Sequence, residues 1–193
     1  MKKKNLLMMA LSLCLVAVVA VGGTLAYLSD SDGTLTNTFK FADNIQVDVY
    51  EYTPGGNEKD QDGYAYNNLV VGEKLKKDVD VDITTGVETY LFINIKSVGD
   101  GTPVELGTVN SAWTPVQTDD KGYGIYRLTN NVSETTTDID VFDTVTVPEI
   151  DSVDDGQYAD AKLNDVVIDV FAMQANGYDA DAAKAEAVKA FAD

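Results

Sequence analysis

The chain carries 32 acidic side chains and no histidine, and those two facts frame the chemistry open to it. Without imidazole there is no Ser-His-Asp or Cys-His relay, and no zinc site built on histidine. Carboxylates remain, and three short clusters space them in a way that suits a hard cation. They are Asp30-Ser31-Asp32-Gly33, Asp60-Gln61-Asp62-Gly63 and Asp154-Asp155-Gly156. Such a pattern bends the chain while aiming carboxylates inward, and calcium takes several oxygen ligands. Asp30, Asp32, Asp60, Asp62, Asp154 and Asp155 are therefore the candidate calcium ligands, and calcium is the one cofactor considered. None of the three clusters has the third oxygen ligand and late glutamate of an EF-hand loop. Asp with Gly is also the default composition of a turn. Pairs of carboxylates for acid–base work follow from sheer number and single out no residue. No glycine-rich phosphate loop is present, so no catalytic residue is assigned and the chain is not expected to be an enzyme.

Other chemistry-bearing residues have simpler readings. Lys74, Lys76 and Lys77 form a basic island after Gly72, expected on a solvated loop or an edge strand, where lysine discourages unwanted pairing. Trp113 and the tyrosines suit a glycan surface, although packing in a core or interface is the commoner use.

The elements that must position these residues are mostly strands. Ile45 to Tyr52 alternates, with Ile45, Val47 and Val49 on one face and Gln46 and Asp48 on the other. Alternation returns from Val79 to Ile83 and again from Ile139 to Val147. Tyr90 to Ile95 is apolar at both parities, which predicts a central strand covered on both sides. Asp119-Asp120-Lys121-Gly122 predicts a hairpin turn before Tyr123 to Leu128, and Val166 to Met173 is the last strong strand. Seven to nine strands punctuated by Gly, Pro, Asn and Asp predict an all-β sandwich. Residues 179–193 are alanine-rich and predict a helix capped by Asp179 or Asp181, with Val188 and Phe191 toward the sandwich.

The first 30 residues carry a different signal. Lys2, Lys3 and Lys4 precede an apolar run from Leu6 to Val21, and Gly22 to Ala26 makes a small-residue exit. Those are the three parts of a secretory signal, with Thr24 and Ala26 as the small residues before a cut and Tyr27 as the first mature residue. The 23 uncharged residues from Leu6 to Leu28 are also long enough to span a bilayer uncleaved. The Gly22-Gly23 end, with no aromatic or basic belt, favours cleavage. Cys14, the only cysteine, lies inside the apolar run. Residues 1–26 hold three lysines and no acid, so the 167 residues after them hold 11 basic and 32 acidic side chains, a net charge of −21. Such a surface repels nucleic acid and anionic lipid. A mature chain without cysteine in an oxidising space must draw its stability from packing and hydrogen bonds.

Specific residues of that exit carry a resemblance. Gly23-Thr24-Leu25-Ala26-Tyr27-Leu28-Ser29-Asp30 resembles the G-T-x-A-x-F-x-D signature of precursors processed by the dedicated signal peptidase SipW, with Leu28 in place of the usual Phe. Asn37-Thr38-Phe39 and a first strand follow, as in that group. Leu69-Val70-Val71-Gly72-Glu73 leading to Asp78-Val79 resembles a proline–glycine turn before an alternating strand, without the proline. Val141 to Pro148 and Val170 to Ala175 resemble the last two strands. The resemblance is to the TasA/camelysin family of bacterial biofilm matrix proteins. It implies a jelly-roll-like sandwich whose mature N-terminal segment adds as a strand to the next subunit. The peptidase activity described for the camelysin branch does not carry over readily, because there is no H-E-x-x-H and no histidine at all.

These readings divide the chain into a signal peptide at 1–26, a mature N-terminal segment at 27–44 with a donor-strand role, a β-sandwich at 45–178 and a C-terminal helix at 179–193. The expected function is a secreted structural protein of a Gram-positive extracellular or biofilm matrix, self-assembling into fibres by head-to-tail strand addition. The expected partners are further copies, other matrix proteins and the SipW-type peptidase during export. No nucleic acid is expected, and a membrane only before processing. The alternatives are an extracellular cation-dependent hydrolase of camelysin type and a monomeric surface adhesin.

Overall fold

Period-two patterning becomes strand wherever the sequence shows it strongly. The computed structural model describes residues 29–32, 45–53, 56, 58–149 and 162–192. Its strands are β1 (Ser29–Asp32), β2 (Ile45–Tyr52), β3 (Lys59–Asp60), β4 (Lys74–Thr85) and β5 (Thr89–Val98). They continue with β6 (Glu105–Leu106), β7 (Trp113–Thr118), β8 (Gly124–Leu128), β9 (Thr136–Thr146) and β10 (Asp165–Gln174). One helix, α1 (Ala180–Ala190), follows among the described residues. The strands form two five-stranded antiparallel sheets, in the orders β1-β10-β5-β8-β7 and β3-β2-β4-β9-β6. The fold is the all-β sandwich with a short C-terminal helix that the pattern predicts.

Two apolar layers result. Between the sheets, Val47, Val79, Val81 and Ile83 from one side meet Leu91, Ile93, Ile95 and Val170 from the other. On the far face of the first sheet, Tyr90, Phe92, Phe171 and Met173 meet Ala183 and Ala187 of α1. β5 is therefore buried on both faces, with Leu91, Phe92 and Ile93 each at 0 % exposure. That double cover is why its run is apolar at both parities. Trp113 is core, at 4 % exposure, with Nε1 donating to the Asp140 carbonyl at 2.9 Å.

The helix starts as predicted, with the Asp179 carboxylate accepting from the Asp181 and Ala182 amides. Its buried face differs from the expectation. Ala183 and Ala187 are fully buried, whereas Val188 is 36 % exposed. Small side chains let the helix lie close to the sheet, and Phe191 completes the contact edge-on to Phe171, with ring centroids 6.2 Å apart.

The lysine island also differs in part. Lys74, Lys76 and Lys77 open β4, where the strand pairs with β9 and, among the described residues, β2 joins only from Val79 onward; Lys74 and Lys76 are exposed as expected, and Lys77 is the exception. Lys77 has the parity of Val79 and Val81, so it points inward and forms a buried ion pair with Glu51. The turn before it has its amide–carbonyl closure from Glu73 to Val70 at 2.9 Å, with Gly72 at φ +78°. A positive φ at the third position of such a turn calls for glycine.

Candidate functional site

The first candidate site is a sheet edge. β1 is the outermost strand of its sheet and pairs antiparallel with β10, Ser29 opposite Met173 and Asp32 opposite Val170. Its sequence, Ser-Asp-Ser-Asp, contains no apolar residue. A strand of that composition brings no apolar side chain to the contact, and its ladder hydrogen bonds are each worth about 1 kcal/mol net. β10 is longer than its partner. Its inner side pairs with β5 along the full length, Asp165 opposite Val98 through Gln174 opposite Thr89. β1 covers only Val170 to Met173, and among the described residues no strand pairs with the outer side of Asp165–Asp169. Among the described residues that side of Asp165–Asp169 has no strand partner, the situation in which an edge strand is a template for further pairing.

A cleft of about 1160 Å³ lies beside that uncovered stretch, between the two sheets. Val166, Leu163, Val104, Tyr66 and Leu69 line it, with Lys77 among them. The Lys77 charge is matched by Glu51, whose carboxylate also accepts from the Tyr66 hydroxyl at 3.3 Å. Burial and the neighbouring Glu51 charge push the Tyr66 phenol above its ordinary range. The cleft thus has an apolar wall and a neutralised polar corner, with Asp62, Asn164 and Asp165 also on its lining.

The second candidate is an acidic face on the other sheet. Asp78, Asp80 and Asp82 alternate with Val79 and Val81, so parity turns the carboxylates away from the core. β2 places Asp48 opposite Asp82 and Tyr50 opposite Asp80, and β9 places Asp140 opposite Asp80. A register shift between Val81 and Ile83 inserts an extra residue in β9, and Asp138 in that bulge takes a left-handed φ of +56°. Aspartate tolerates that conformation better than most side chains. The bulge turns Asp138 toward β2. The Tyr50 hydroxyl lies 2.9 Å from Asp82 Oδ1 and 2.7 Å from Asp138 Oδ1, and the Tyr52 hydroxyl donates to Asp138 Oδ1 at 2.7 Å. Lys59 of β3 donates to Asp82 Oδ2 at 2.8 Å and stands 3.9 Å from the Tyr50 ring centre.

The electrostatics of this face are divided. Hydrogen bonds from Tyr50, then Tyr52, hold the Asp138 carboxyl well below the usual range. The Tyr50 phenol is pushed up by burial and by its acceptors Asp138 and Asp82. The Asp82 carboxylate raises Lys59. Asp80 goes the other way, pushed up to about 6 by burial first and then by the charges of Asp78, Asp140, Asp138 and Asp82.

Of the residues picked out by spacing, Asp30, Asp32, Asp60 and Asp62 fall on described positions. Asp60 and Asp62 stay local: the Asp62 amide donates to Asp60 Oδ1 at 2.9 Å, an ordinary aspartate turn. Asp30 and Asp32 lie on β1, opposite Ala172 and Val170. Thr24, Ala26, Tyr27, Asp154 and Asp155 lie outside the described residues. The acidic face drew no notice as a site because its members are spread over β2, β4 and β9. The signal for it was the alternation Asp78-Val79-Asp80-Val81-Asp82 and Asp138-Ile139-Asp140, like charges at every second residue of two strands.

Among the described residues no helix is long and apolar enough to cross a membrane. A scan of family models, a search of curated proteins and a search of solved structures each found no match to this chain.

Proposed function

We propose that this chain is a secreted structural protein of a bacterial extracellular matrix, and that it polymerises by strand exchange. The segment after the export signal leaves the edge of its own sheet and pairs with β10 of the next subunit. The observation that carries this reading is the position of Ser29–Asp32: a short, all-polar strand, outermost in its sheet, on a longer strand that it covers only in part. Strand addition draws its affinity from main-chain hydrogen bonds, so a strand with no apolar residue loses little by changing partner. The contact is head-to-tail, which builds a filament instead of a closed ring.

The export signal at residues 1–26 and its SipW-like exit motif support a location outside the cell, at the surface or in the matrix. Further copies of the chain are the principal partner, with other matrix proteins as additional ones. A role without catalysis agrees with the missing histidine and with a cleft whose one lysine is neutralised. Fibres of this kind need no disulfide, since the only cysteine, Cys14, lies in the signal.

Electron microscopy and N-terminal sequencing of secreted protein test processing and assembly together. Protein starting at Tyr27 is expected to form fibres, and protein starting at Asp43 to stay monomeric. If both stay monomeric across pH and calcium concentration, the reading fails.

A further inference from the structure

β4 and β9 bring two acidic side chains face to face. Asp80 stands opposite Asp140 in the ladder, where side chains sharing a face have Cβ atoms about 4.5–5.5 Å apart and like charges repel. The acids around them have partners. Asp78 pairs with Lys76 at 2.9 Å. Asp82 pairs with Lys59 at 2.8 Å, and Asp138 has Lys59 at 3.4 Å and the two tyrosine hydroxyls. Among the described residues Asp80 and Asp140 have no cation partner. Asp80 is 4 % exposed and makes no hydrogen bond or ion pair among the described residues. Asp140 Oδ2 accepts from Asn110 Nδ2 at 2.6 Å, but Oδ1 is shut off from solvent and has no partner. Asn110 is neutral, so it compensates none of the charge. A buried carboxylate oxygen without a donor, here Asp140 Oδ1, beside a second carboxylate across the ladder is costly to leave unmatched.

We propose that Asp80 and Asp140 bind one calcium ion between β4 and β9, bridged by the two carboxylates and completed by water. An all-oxygen donor set selects a hard cation over a soft one. Among the described residues no three acidic side chains already surround one point, so the site is an open bridge rather than a closed cage. An open bridge of two carboxylates belongs with the weak calcium sites of extracellular modules, with dissociation constants on the order of 10⁻⁴–10⁻³ M. The site is separate from the Asp-x-Asp-Gly turns and does not depend on how subunits join.

The surroundings supply a local probe. Trp113, the only tryptophan, donates to the Asp140 carbonyl, and Tyr50 stands opposite Asp80. Terbium, an oxygen-seeking ion like calcium, would therefore bind next to two rings that can pass excitation to it. Titration of protein starting at Tyr27 with terbium is expected to give saturable sensitised luminescence. Millimolar calcium chloride should reverse it, and sodium chloride at equal ionic strength should not. Asp80→Asn and Asp140→Asn should each cut the signal at least tenfold, while Asp60→Asn with Asp62→Asn should leave it unchanged. A signal that survives both single substitutions, or none in the parent protein, overturns the proposal. The parent protein gives a second readout that needs no variant: its melting temperature should rise in calcium chloride above its value in sodium chloride of equal ionic strength. Equal values in the two salts also overturn the proposal.

Discussion

A disulfide between positions 29 and 173 would fix β1 to its own β10. Ser29 stands opposite Met173. Opposed Cα atoms in an antiparallel pair lie about 4.5–5.5 Å apart, inside the roughly 4.4–6.8 Å that a disulfide spans. The residues after Ala26 contain no cysteine, so Ser29→Cys and Met173→Cys introduce the only two thiols. Four paired positions supply about four backbone hydrogen bonds, on the order of 4 kcal/mol, to hold β1 in place. Twelve residues separate Asp32 from Ile45, and a tether of that length gives a local concentration on the order of millimolar. Subunits at micromolar concentration then compete at about a thousandfold disadvantage, about 4 kcal/mol. Exchange wins only if the incoming strand forms bonds that the resident strand does not. The five positions Asp165–Asp169, which no described strand pairs on that side, have room for roughly that many, at about 1 kcal/mol each. The balance is therefore close, and a covalent lock removes one side of it. Light scattering and electron microscopy of the oxidised variant are expected to show no fibre growth, with reducing agent restoring it. Oxidation of fibres already grown from reduced protein should instead give a ladder of linked subunits on a non-reducing gel. If protein shown to be linked within each molecule still assembles at the parent rate, β1 is not the connecting strand.

In an exchanged strand the same register carried three residues past Asp32 would bring Leu35 opposite Val167, so Leu35→Pro would remove a ladder donor from that longer pairing. Monomer melting should change little while fibre growth is lost; equal growth would show that pairing stops at Asp32. Lys77→Met leaves Glu51 charged at 4 % exposure and should cost about 3–5 kcal/mol in urea denaturation, most of it recovered when Glu51→Gln is added. A cost under about 1 kcal/mol would mean that water reaches the Glu51 carboxylate. Asp80, raised from 3.8 to about 6 in the folded chain, binds its proton more tightly when folded. It therefore costs nothing below the lower value and about 3 kcal/mol once pH has risen past the upper one. With chelator present, the stability of Asp80→Asn relative to the parent should grow by about 2 kcal/mol from pH 4.5 to pH 7.5; a flat difference would refute the shift.

What could be read in advance was whatever a residue's own parity decides. Ile45–Tyr52, Val79–Ile83 and Val166–Met173 declare their buried faces by alternation, and Tyr90–Ile95 declares two by having no polar parity. Lys77 shows the limit of that reading. Its parity matches Val79, but burial of a lysine depends on a carboxylate opposite, and Glu51 is 26 residues away. Val188 shows another limit. Apolarity favours it for the helix contact, yet the sheet comes so close that Ala183 and Ala187 occupy the buried face. Local spacing, which is how a loop site is built, points to Asp60 and Asp62, and there the Asp62 amide closes a turn on Asp60. Asp80 and Asp140 lie on different strands, and no short window of sequence contains both. The same holds for β1, whose polar composition is plain but whose partner begins at Val170. A two-sheet fold makes neighbours of segments through strand order, and a strand's order is a property of the whole chain. Both features that bear on function here, a polar strand on a longer edge and two unmatched carboxylates across a ladder, are consequences of that order. Each is a mismatch between neighbours among the described residues, in hydrogen-bonding length in one case and in charge in the other. On the proposals made above, another strand would resolve the first and a cation the second.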